Sequence, residues 1–123
     1  QGVNVIFHAS GSTGLGVFEA ARTTGKLGIG VDADQYSEAP GHVLTSMVKG
    51  IDESVFQAVK AVKEGTFTGG IQQFGLAENG VGYVYDANNK ALIPDAVRAT
   101  LNALTADIIA GRITVPSTRP GTK

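Results

Sequence analysis

"VIFHASGSTGLGVFEAARTTGKLGIGVDADQ", residues 5–35, decides the fold. Val3, Val5, Ile6 and Phe7 form a short β-rich run. It is too continuous for a half-exposed strand and reads as one buried on both faces of a parallel sheet. The run breaks at Ser10–Gly11, where Ser12 or Thr13 is placed to cap a helix. In that helix Leu15, Phe18 and Ala21 recur at helical spacing, and Gly25 offers a left-handed exit. Leu27 to Val31 follow as a second buried strand. The unit is β-α-β, and a right-handed crossover sets Ser10–Gly11 and Asp32 along one rim of the sheet. The fold class is therefore α/β.

The remaining chain extends this pattern. Residues 36–42 read as a loop and "VLTSMVK", 43–49, as an extended segment. In "IDESVFQAVKAVKEG" the residues Ile51, Val55, Val59 and Val62 share a helical face, Lys60 and Lys63 face outward, and Gly65 stops the helix. Residues 70–86 read as two strands or one long bent crossing. Pro94 opens a last helix at its first position, with Val97, Leu101, Leu104 and Ile108 as its stripe and Gly111 as its exit. The tail "TVPSTRPGTK" reads as frayed or extended.

With 123 residues, 42% of them hydrophobic, the chain can bury one core. A net charge of −1 without runs of like charge nominates no nucleic-acid partner. The absence of cysteine removes disulfides, thiolate metal sites and cysteine nucleophiles. No apolar run reaches the roughly 18 residues that span a bilayer. The chain enters a strand pattern at once without an initiator Met, which reads as a processed or truncated product.

A phosphate cradle does not fit "SGSTGLG". The glycines run G-x-x-G-x-G rather than G-x-G-x-x-G, and no P-loop Lys follows. Gly11, Gly14 and Gly16 read as a tight strand-to-helix corner whose free N–H groups face a ligand acceptor. Asp32, at the carboxyl rim, either binds a diol bidentately or caps a turn, and Asp34 shares that second reading. Lys49 closes a segment of apolar and hydroxyl residues and is either functional or a snorkelling surface lysine. His8 reads as a half-buried, satisfied histidine and His42 as solvated, and neither has partners at metal-ligand spacing. Ser10 or Ser12 with His8 does not assemble a nucleophile, base and orienter. Phe7, Phe18, Phe56 and Phe74 read as core. No cofactor is expected.

Four segments in order, "NVIFHASGSTGLGVFEAA", "IGVDADQ", "VLTSMVK" and "FGLAENGVGY", closely resemble the C-terminal part of the basic membrane protein family. That family comprises lipoproteins similar to type I periplasmic binding proteins, which serve as purine-nucleoside receptors of ABC transporters. The resemblance spans about residues 3–112 and implies two Rossmann-like α/β lobes closing on a nucleoside without catalysis. It implies that Asp32, Lys49 and backbone at Gly11 hold the sugar hydroxyls, with Lys49 as a buried ammonium paired with a carboxylate. Ser10 and Asp34 are weaker ligand candidates, and "SGS" stands where the family often has a double glycine.

By the same resemblance residues 1–43 are the second-lobe β-α-β unit, 44–86 the lobe-crossing segments and helix, and 87–123 the C-terminal helix and tail. The first lobe, which in the family stacks and reads the base, is not expected in this chain, leaving the sugar half of a site. The implied partners are a purine nucleoside, an ABC permease, and either the missing lobe or a second copy covering exposed sheet edges and helix faces. The implied setting is extracytoplasmic, in a lipid-anchored or periplasmic protein. The rival expectations are a small α/β nucleotide-binding enzyme using the Gly11 turn, and a sensor or interaction module with a vestigial pocket.

Overall fold

The computed structural model describes residues 2–116. Two compact units divide the chain, residues 1–93 and 94–123. The first is built on a sheet of four strands in the order β1-β2-β3-β4: Val5–Phe7, Leu27–Asp32, Val43–Lys49 and Val81–Tyr83. β1, β2 and β3 run parallel, so their carboxyl ends share one rim, while β4 is antiparallel to β3 and makes the sheet mixed.

The opening stretch folds as the expected β-α-β unit. Between β1 and helix α1, Leu15–Thr24, lies a 3-10 turn over Gly11–Gly14. Ser12 and Thr13 sit inside that turn and do not cap α1. The Thr13 hydroxyl instead donates to the Ser10 carbonyl at 2.6 Å. Gly25 ends α1 at φ +65°, the left-handed exit for which glycine has no Cβ penalty. The Phe18 ring on α1 is 1% exposed and packs with Ala39, Val43 and Tyr36. It lies against Gly28 of β2, where a Cβ would come within 2.8 Å of the ring.

His8 is buried, not half-buried. It is 6% exposed, meets Phe18 edge-on with centroids 5.0 Å apart, and its Nε2 has no hydrogen-bond partner. Its ring occupies the space that a side chain at Gly14 would need. Gly14→Ala is therefore expected to push the ring off Phe18 and cost about 1–3 kcal/mol, the usual range for overpacking. Urea unfolding measures it, and an unchanged midpoint would show that the turn gives way freely.

Several other expectations are corrected. β1 is exposed along Val5, Ile6 and Phe7, because as an edge strand it pairs only with β2 and no described element covers its open face. Of the two readings of residues 70–86, two strands does not hold, since the stretch has the single strand β4: "GGIQQFGL" forms no ladder, and Gly80, against which Phe74 packs, leads into β4. Helix α2, Ile51–Lys63, forms as the period requires, with Asp52 and Glu53 in its first turn and Lys60 and Lys63 in its last complementing the helix dipole. Its apolar face is unpacked, however: Ile51, Val55, Phe56, Val59 and Val62 are 57–63% exposed. Phe7 and Phe56 are thus not core, and Phe74 is only partly covered.

After β4 the chain turns through residues 86–89. Buried Asn89 fastens this turn by donating to the carbonyls of Leu44 and Val84, while its Oδ1 accepts from Asp86 N–H. In the second unit, helix α3 spans Asp95–Ile109 with Pro94 as its N-cap, one position earlier than expected, and Gly111 beyond its end at φ +70°. Residues 117–123 of the tail lie outside the described residues, and 114–116 carry no regular structure.

Candidate functional site

The three parallel strands deliver their last residues to one rim, and the β2–β3 register settles which of them meet. Asp32 stands opposite Val48, so Lys49 is the next residue along. The Lys49 ammonium lies 2.7 Å from Asp32 Oδ1. With Ala9, Gly11, Val31 and Met47 the pair lines a cleft of about 140 Å³. The structure thus brings Gly11, Asp32 and Lys49 together.

Asp32 sits there at φ +71°, a left-handed conformation that a non-glycine residue adopts only under constraint. The Ala33 N–H donates to the Val31 carbonyl at 2.8 Å across it. A bond from residue i+2 back to i around a positive φ is a left-handed γ-turn, a rare and strained form. Gly11 on the opposite lip is also left-handed, at φ +54°. That φ costs a glycine nothing, so Asp32 is the strained backbone at the cleft.

The Asp32–Lys49 pair is not the buried pair the resemblance implied, since both side chains are 52% exposed. An exposed ion pair contributes at most about 1 kcal/mol, too little to account for a strained turn by stability alone. Chemically it is asymmetric. The carboxylate only accepts, with room for further bonds, and the ammonium only donates. A group offering a donor and an acceptor on adjacent atoms, such as a vicinal diol, satisfies both.

The other candidates lie elsewhere. Asp34 accepts from Tyr36 N–H at 3.0 Å, the turn-capping role, and faces a separate cavity of about 10 Å³. Ser10 does not line the cleft, and its Oγ lies 3.4 Å from His8 Nδ1. His42 is held rather than free, with Nδ1 3.0 Å from the Lys26 carbonyl. Wider grooves run beside α2, one of about 460 Å³ near Glu53, Gln57 and Phe74 and one of about 400 Å³ near Phe56 and Lys60. In the first, Gln57 Nε2 donates to Glu53 Oε1 at 2.6 Å; neither groove lies at the carboxyl rim of the parallel strands, where Gly11, Asp32 and Lys49 meet.

Residues 1–119 match the family described as Bmp, ABC transporter substrate-binding protein PnrA-like. The chain belongs to this family. Basic membrane protein D of Borreliella burgdorferi is 39% identical over 120 residues, covering 94% of this chain and 35% of that protein. Basic membrane protein A of Borreliella afzelii is 36% identical over 120 residues, 94% of this chain and 36% of that protein. An uncharacterised lipoprotein of Pyrococcus abyssi is 39% identical over 89 residues, 68% of this chain and 22% of its own length. The chain therefore spans about a third or less of these relatives. A solved ABC transporter solute-binding protein from Aeropyrum pernix superimposes with a TM-score of 0.77 at 24% identity, over 98% of this chain and 42% of that one. The partial periplasmic-binding fold is thereby shown.

At this rim Met47 lines the cleft and Gln35 and Ser46 bond beside it, and the sequence alone singles out none of the three. Gln35 closes the quoted "IGVDADQ" and Ser46 lies inside "VLTSMVK", so both were in view. Only the backbone bonds they make single them out.

Proposed function

We propose that this chain supplies the sugar-binding half of an ABC-transporter substrate-binding protein that closes on a purine nucleoside and performs no chemistry on it. The observation that carries the reading is the meeting of Asp32, Lys49 and Gly11 around one cleft at the carboxyl rim. At about 140 Å³ the cleft falls below the ~300 Å³ at which pockets enclose a drug-sized ligand, which suits a ribose better than a whole nucleoside. Family membership favours a transporter ligand and a permease partner, and relatives named lipoproteins favour an extracytoplasmic, membrane-anchored setting. No described helix is long and apolar enough to cross a membrane.

The base contacts belong to the other lobe. In this reading residues 1–43 form the second-lobe unit, 44–86 cross between lobes and 87–123 form the C-terminal helix and tail, with closure about the crossings trapping the ligand. The open faces of β1 and α2 are where a first lobe or a second copy would rest. Burial of His8 beneath Gly14 weighs against its use as a general base, since a base must reach the proton it takes.

Calorimetry with inosine, guanosine and adenosine tests the reading, on this chain and on the chain joined to the first lobe of a family member. Binding of at least one nucleoside, with 2′-deoxyribose counterparts weaker, is expected. Indifference of the joined protein to all three would refute the nucleoside assignment.

A further inference from the structure

Asp32 cannot hold its strained turn unaided, and the surrounding bonds identify what does. β1 ends opposite Ile29, so beyond that point β2 has no β1 partner. There the Val31 N–H donates to Gln35 Oε1 at 2.8 Å. The Gln35 N–H in turn donates to Ser46 Oγ at 3.0 Å, and Ser46 is fully buried in β3. Both side chains converge on Gly30: a Cβ there would lie 2.5 Å from Ser46 Oγ and 2.9 Å from Gln35 Oε1. The chain leaving β2 is thus tied back onto β2 by Gln35 and onto β3 by Ser46, across a gap that only glycine leaves open. Asp32, Ala33 and Asp34 lie inside this loop, and Asp32 is the one of them with a positive φ.

We propose that Gln35 and Ser46 are positioning residues of the rim site: seated over Gly30, they enforce the left-handed γ-turn that aims the Asp32 carboxylate at Lys49 and at the ligand hydroxyls. Neither touches the cleft. Gln35 acts through one acceptor atom, Oε1 toward Val31 N–H, so a side chain of equal length with an acceptor serves and one without it does not. For its ligand the inference rests on the nucleoside reading, but its geometric content does not.

Two replacements separate positioning from bulk. Gln35→Met keeps length and volume and removes the acceptor, whereas Gln35→Glu keeps an oxygen that accepts from Val31 N–H. Proton NMR of the labelled chain reads the turn directly: a positive φ brings HN close to Hα within Asp32 and gives a strong intraresidue NOE, and the ion pair gives an NOE between Asp32 Hβ and Lys49 Hε. Both signals are expected in the parent and in Gln35→Glu, and both are expected to vanish in Gln35→Met while Phe18 and Val43 resonances stay in place. Should Gln35→Met not fold, Ser46→Ala, which removes the acceptor for Gln35 N–H, is expected to weaken the same two signals. Persistence of both signals in a folded Gln35→Met or Ser46→Ala chain would overturn the inference. Inosine titration of the chain joined to the first lobe of a family member adds the functional arm: affinity is expected to fall about tenfold or more in Gln35→Met and to recover in Gln35→Glu. Equal inosine affinity in the parent, Gln35→Met and Asp32→Ala, or none in any, counts against the nucleoside reading, and the NOEs then decide the positioning role by themselves.

Discussion

Phe18→Ala is expected to remove most of the chain's stability and bring it to the edge of unfolding at room temperature. Truncating a fully buried Phe typically costs about 3–5 kcal/mol, against total stabilities of about 5–15 kcal/mol for a domain. Here the lower end applies. Among the described residues the buried apolar set is Phe18, Ala21, Val31, Ala39, Val43 and Ile93, and Phe18 is its largest member. Its ring joins α1 to Gly28 of β2, to Val43 of β3 and to Ala39 in the connection between those strands. Tyr36 and the edge-on His8 ring flank it, and truncation to Ala leaves a cavity between them that they fill only in part. Far-UV circular dichroism during urea unfolding provides the measurement. By comparison Val59→Ala, on the open face of α2, is expected to change the midpoint little, since that side chain is 63% exposed. A folded Phe18→Ala chain with a midpoint near the parent's would mean that stability resides outside this cluster.

That contrast bears on how much of the molecule was legible in its sequence. The β-α-β unit could be read because every local signal agreed: an apolar run, a polar glycine corner, a helical period and a glycine exit at Gly25. α2 was equally legible as a helix from Ile51, Val55, Val59 and Val62. Its surroundings were not, because periodicity reports which face wants covering and says nothing of whether the covering surface lies in the same chain. The same gap explains β1 and Phe56. "GGIQQFGL" misled for another reason: its apolar residues are interrupted by glycines, and a ladder needs a neighbouring edge that β4 does not extend to this segment. For the rim, Asp32 and Gly11 followed from strand ends and the pairing with Lys49 from the family resemblance alone, while the β2–β3 register supplies the geometric reason that Asp32 and Lys49 meet. Nothing in the letters D-A-D-Q separates the residue that faces the cleft from the one that caps the turn. The left-handed φ at Asp32 does so, since it turns that side chain to the rim and leaves Asp34 to accept from Tyr36 N–H.

Replacing Asp32 by Gly is expected to weaken nucleoside binding at least tenfold while leaving stability near the parent's or slightly raised. Relief of a left-handed φ returns about 1–3 kcal/mol. Against it stand about 0.5–1 kcal/mol for the freer unfolded chain that glycine brings and at most about 1 kcal/mol for an exposed ion pair. The balance runs from about −1 to about +2.5 kcal/mol and centres slightly above zero. Binding moves the other way, because each hydrogen bond between a ligand hydroxyl and a charged group contributes about 1.5–3 kcal/mol, so its loss lowers affinity about 10- to 150-fold. Asp32→Asn separates the two effects: Asn also tolerates the left-handed region, so stability stays near the parent's, while the loss of charge weakens both the Lys49 pairing and the ligand bond. Parallel thermal unfolding and calorimetry on the three proteins distinguish the possibilities. If Asp32→Gly lowers stability by more than about 2 kcal/mol, the turn is a structural anchor, since a strained φ has then been relieved without benefit. If it binds inosine as the parent does, Asp32 is not a ligand group. Loss of binding at constant or higher stability is the signature of a residue held in an unfavourable conformation for its ligand, and no purely structural role for Asp32 produces it.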